Sequence, residues 1–137
     1  MSTAIHEILP QYAADAAFLW LLRDAAVRAP HCSLADLNKL DDRIEAHLDG
    51  LRVGGDAGWE MARKELAWEE PGELFTAAVL AFESDDMARI QPILTIARQS
   101  PELARGMISA LGFLPLRQVT ARIAQLTGSQ SPDLRFI

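Results

Sequence analysis

The phrase QSPELARG at residues 99–106 returns as QSPDLRFI at residues 130–137, and a related phrase, EEPGELF, stands at residues 69–75. Aligning Glu73-Leu74 with Glu102-Leu103 gives a spacing of 29, and aligning Glu102-Leu103 with Asp133-Leu134 gives 31. Each copy places Pro at the start of a helix, where its missing N–H is no loss, with an acid close behind it at the positive end of the helix dipole. After the first two starts the apolar residues match at the same offset: Val79 with Ile108, Ala81 with Ala110, Phe82 with Leu111. The intervening segments DDMARIQPILTIAR and PLRQVTARIAQL match at 30, with Ile93 on Ile123 and Ile96 on Leu126. They read as the second helices of the same units. Pro92 is the awkward residue, because a Pro inside a helix removes a hydrogen bond and kinks it.

A helix pair repeated at this period predicts an all-α chain of HEAT-like helical repeats, a right-handed α-solenoid in which each unit buries its apolar face against its neighbours. The closing SPDLRFI reads as the first turns of a further repeat, so we expect either the front part of a longer array or an array that ends unusually abruptly. The apolar faces of residues 114–127 and of Leu134, Phe136 and Ile137 would then lack their next layer, and self-association through that C-terminal end is expected.

Ahead of the repeats, residues 13–29 read as a helix with a main apolar stripe of Phe18, Leu21, Leu22, Ala25 and Ala29 at 100° steps. Trp20 and Val27 fall on the other side, between Arg23 and Asp24. That pair is either a partner contact or is covered by a neighbouring segment, such as residues 1–12. A second helix begins at SLAD, where Ser33 can cap and Asp36 stands in for the Glu or Gln of a capping box, and runs to about Leu51. Leu37, Leu40, Ile44, Leu48 and Leu51 form its core stripe. Asp42, Glu45 and Asp49 share the opposite side, facing solvent or a basic partner. VGGDAGW breaks the chain, and Asp56 can cap a third helix carrying Trp59, Ala62 and Leu66. The organisation expected is a segment 1–12, a helical pair 13–55, and repeats over 56–137.

The phrase LDDRIEAHLDGLRVGGDAGW, residues 40–59, followed by ELFTAAVLAF and the later repeats, resembles the N-terminal part of an uncharacterised proteobacterial HEAT-repeat family. Members of that family often lie in gene clusters for type VI secretion. The resemblance covers residues 15–137. It implies an immunity or accessory role near a secreted toxin, implies chains longer than this one, and transfers no catalytic residues.

Net charge is −6, with −10 over residues 1–86 and +4 over residues 87–137. Such polarity can steer a charged partner, which here would be a basic toxin or secretion component docking on Asp42, Glu45, Asp49 and Trp20. The alternative is a nucleic-acid-binding repeat protein using Arg89, Arg98, Arg105, Arg117, Arg122 and Arg135. Those arginines are sparse and the sequence pI is near 5.0, so nucleic acid is the weaker expectation.

Catalytic constellations are not evident. His31 and Cys32 adjoin but lack further ligands at zinc spacing, and Glu45-Ala46-His47 lacks the second histidine of a metalloprotease helix. Asp41-Asp42 and Asp85-Asp86 point about 100° apart on a helix and do not converge. GGDAG lacks the spacing of a phosphate loop. Neither enzyme activity, metal nor cofactor is expected. The longest apolar run, Ala16 to Leu22, falls well short of the ~20 residues of a membrane span. With a single cysteine and no leader-like start, the expectation is a cytoplasmic protein.

Overall fold

The structure, a computed structural model, describes residues 3–114; these form six α-helices and one 3-10 turn. They are α1 (Thr3–Val27), α2 (Leu34–Val53), α3 (Asp56–Glu65), the 3-10 turn (Leu66–Trp68), α4 (Pro71–Ser84), α5 (Met87–Ala97) and α6 (Pro101–Leu111). Among the described residues there is no strand. The expected third repeat start and the C-terminal self-association surface, including Ile123, Leu126, Leu134, Phe136 and Ile137, lie outside the described residues.

The helix starts follow local chemistry. Pro71 and Pro101 occupy the first turns of α4 and α6, with Glu73 and Glu102 beside them. Ser33 accepts from the backbone N–H of Asp36, whose side chain accepts in return from the Ser33 N–H, so the substituted capping box closes. Asp86 caps α5 by accepting from the Ala88 N–H, and Ser100 caps α6 by accepting from the Leu103 N–H. Asp56 does not cap α3 as expected: the cap position is Gly55, at φ 59°, and Asp56 is the first helical residue.

The segment expected over residues 1–12 is not separate, because from Thr3 onward it is the first part of α1. Pro10 lies inside that helix and Pro92 inside α5. Both prolines are exposed. On the solvent side, the carbonyl that a proline leaves without its amide partner can turn to water, which is how a helix runs on past a proline.

The core centres on α4. Gly72 and every residue from Leu74 to Phe82 are buried, so this helix is covered on all sides. It packs against α1, α3, α5 and α6. The one buried Ser, Thr, amide or charged side chain among the described residues, Thr76, donates its hydroxyl to the Gly72 carbonyl at 3.0 Å and so brings no unsatisfied group into the core. One apolar cluster runs from Leu9 of α1 through Trp59 of α3 to Leu114, across the boundary expected at residue 55. Of the repeat pairs, Ala81 and Ala110, and Phe82 and Leu111, are all buried, whereas Val79 is buried and Ile108 is exposed. Ile108 lies on an exposed face of α6, unlike the enclosed α4.

Backbone approach sets these crossings. A Cβ on Gly72 would stand 2.5 Å from the Ala17 carbonyl oxygen of α1, and one on Gly106 of α6 would stand 2.4 Å from the Pro71 carbonyl oxygen of α4. The layer α1–α4–α6 therefore closes only with glycine at both contacts. Gly72→Ala is expected to cost about 1–3 kcal/mol, as overpacking against rigid backbone does. Urea denaturation checks this; an unchanged midpoint would mean that the crossing is looser than described.

Candidate functional site

Helix α1 is apolar nearly all round, and its two apolar faces meet different fates. Leu9, Ala13, Ala16, Leu19 and Trp20 enter the core. Phe18, Leu21, Leu22 and Ala25, expected as the main core stripe, are exposed. Trp20 corrects the reading of it as a partner contact: it is 1% exposed and stacks on Phe75 with ring centroids 6.1 Å apart. The reason is that α4 packs on the Trp20 side, which the α1 sequence cannot disclose because both sides carry apolar residues. Trp20 Nε1 finds no hydrogen-bond acceptor among the described residues.

The outward stripe borders a groove of about 390 Å³. Ala14, Ala17, Phe18 and Leu21 of α1 form one wall, and Trp68, Glu65 and Glu73 form the other. Phe18 is 59% and Trp68 72% exposed, an unusual share for two aromatic rings lining one groove. Trp68 is held outward by its backbone. The 3-10 turn ends in Glu69 at φ 51°, ψ 44°, a left-handed conformation that a non-glycine residue adopts only when its surroundings impose it. Glu70 is then extended and Pro71 opens α4. A tight corner between two helices thus presents the indole.

The two carboxyls in this groove are unusual electrostatically. Burial pushes Glu65 above the ordinary carboxylate value of 4.5, and the charge of Glu73 raises it further. Burial also raises Glu73; a backbone hydrogen bond opposes the shift and the charge of Glu70 adds to it. Neither carboxylate has a salt-bridge partner among the described residues.

The acidic stripe expected on α2 is a mixed-sign cluster. Arg52, three residues beyond Asp49 and seven beyond Glu45, hydrogen-bonds Glu45 at 3.0 Å, Asp49 at 2.6 Å and Glu83 of α4 at 2.7 and 2.9 Å. Burial works against the Arg52 charge, but the hydrogen bonds to Glu83, Glu45 and Asp49 outweigh it and hold its pKa above the ordinary arginine value. Asp42 alone of the three expected contact residues is exposed and outside this network. The basic end is likewise partly occupied. Arg89 pairs with Asp56 at 3.0 Å and lies 5.2 Å from the Trp59 ring centre, and Arg105 reaches Asp24 at 3.3 Å. Arg98 is exposed, and Arg117, Arg122 and Arg135 lie outside the described residues.

Among the described residues no three His, Cys, Asp or Glu side chains gather as a metal site, and no helix is long and apolar enough to cross a membrane. His47 rests between its own helix and α1, with Nδ1 2.8 Å from the Arg43 carbonyl oxygen and Nε2 3.4 Å from Asp15.

Two outcomes follow. Arg52→Met should strand Glu45, Asp49 and Glu83 together and cost about 1–2 kcal/mol, below the full value of a buried pair because the cluster is partly exposed. Chemical denaturation reads this, and restoration by Glu83→Gln in the Arg52→Met background would tie it to Glu83. Separately, Glu73 has a raised folded-state pKa, so its ionised form opposes folding above that value and ceases to do so once it is protonated. Glu73→Gln should therefore raise Tm at pH 7, with the gain shrinking as pH falls to 4.5; a gain independent of pH would exclude ionisation as the cause.

Compared with known proteins, the chain matches no family model, no curated protein and no solved structure.

Proposed function

We propose that this chain is a non-enzymatic protein–protein interaction module whose docking surface is the outward stripe of α1 with Trp68. The observation that carries the reading is the second apolar face of α1. One side of the helix already lies in the core, and the other presents Phe18, Leu21 and Leu22 to solvent beside an exposed indole. Exposed apolar side chains gathered along one groove are the usual mark of a surface that a partner covers, and aromatic anchors dominate binding energy when so covered.

The layering of α1 and α6 on the buried α4, with the recurrent Pro–acid helix starts, supports a HEAT-like repeat arrangement for this module. The resemblance over residues 15–137 adds a setting to the reading: an immunity or accessory protein beside a toxin of type VI secretion.

A photo-cross-linking amino acid at position 68, introduced in the producing cell, tests the surface. The expected result is a discrete higher-mass adduct from position 68 and none from position 39 on α2, with Phe18→Ser suppressing the adduct. No adduct at 68, or equal adducts at 68 and 39, would remove the groove as the docking surface.

A further inference from the structure

Resting on the reading of the α1 groove as a docking surface, the charges around it specify its occupant. Residues 65–73, ELAWEEPGE, contain four glutamates and no lysine or arginine. Two of those glutamates, Glu65 and Glu73, line the groove itself, opposite Phe18 and Leu21 and beside Trp68. Both are half-buried, and neither has a cation within salt-bridge distance among the described residues. A carboxylate in that position costs free energy in the unbound protein, and a cation delivered by a partner would relieve it.

We propose that the groove takes a basic amphipathic helix of another protein, with aliphatic side chains on Phe18, Leu21 and Trp68 and a lysine or arginine between Glu65 and Glu73. Three features match this occupant. The α1 wall is a helical ridge, with Ala14, Phe18 and Leu21 spaced four and three apart, which is the spacing that a second helix packs against. Ala14 is small and exposed, so an incoming helix can approach α1 there. The opposite wall is acidic, and a basic residue whose aliphatic stem lies along Trp68 while its charge reaches a carboxylate satisfies both halves of the groove. A second copy meeting this one groove to groove fits poorly as the occupant, because it would bring its own glutamates against these and repel.

The probes are three synthetic amphipathic peptides with one common leucine face and polar positions filled by lysine, glutamine or glutamate, titrated at ~0.15 M salt, one Debye length being about 8 Å there. The lysine peptide is expected to bind at least about tenfold more tightly than the glutamate peptide, a difference of about 1.4 kcal/mol. Glu65→Gln with Glu73→Gln should remove most of that preference and flatten its salt dependence. Asp42→Asn with Glu60→Gln, an equal charge change at residues that do not line the groove, should leave the preference intact. Both Gln substitutions delete an opposed charge, so loss of folding does not obscure the result.

Equal binding of the lysine and glutamate peptides, or a preference unmoved by the Glu65 and Glu73 substitutions, overturns the basic occupant. If Phe18→Ser still weakens all three peptides in that case, the docking surface stands without its charge rule; if Phe18→Ser has no effect, the docking surface falls as well. A concentration-dependent dimer in sedimentation that Phe18→Ser dissolves would make a second copy the occupant and also overturn the proposal.

Discussion

The enclosure of α4 is the constraint on which the other helices depend. A helix whose residues from Leu74 to Phe82 are all buried has no solvent side, so it must be surrounded. Four helices supply that surround, and the two glycine contacts, Gly72 on Ala17 and Gly106 on Pro71, decide how near α1 and α6 come. Because α4 takes up one side of α1, the opposite side of α1 is left facing outward. The exposed stripe is thus a consequence of the core and not an isolated surface irregularity.

Charge follows the same logic. Where an acid was brought beside an arginine, as with Glu45, Asp49 and Glu83 around Arg52, the cluster closes on itself and ties α2 to α4. Where acids were brought beside apolar walls with no ion-pair partner among the described residues, as with Glu65 and Glu73, burial shifts their pKa upward. The first arrangement is self-sufficient. The second has an unmet electrostatic demand, and it sits in the same groove as the unmet apolar one.

Much of the local structure was legible in the amino-acid order. Pro71, Pro101, Ser33 and Ser100 mark helix starts because caps and first-turn prolines act within a few residues of chain. The core roles of Ile44, Leu48, Trp59 and Leu66 followed from spacing on helices with one apolar side. The orientation of α1 did not follow, because Phe18 and Leu22 on one side and Leu19 and Trp20 on the other give no periodic preference, and the choice is made by α4, more than fifty residues away. Arg52 was legible as a neighbour of Glu45 and Asp49, but Glu83 joins it only through tertiary packing. The groove was not legible either, since Phe18 and Trp68 come to line one groove only through the tertiary fold.

The claim that α1 turns Trp20 inward while the groove turns Trp68 outward is open to one direct measurement. The chain has three tryptophans, and replacing two at a time with phenylalanine leaves one reporter for acrylamide quenching of fluorescence. The account predicts that the protein retaining only Trp68 is quenched nearly as readily as free indole, and that the one retaining only Trp20 is quenched several-fold less. Trp20 quenched as readily as Trp68, or Trp68 shielded in the isolated chain, would contradict it.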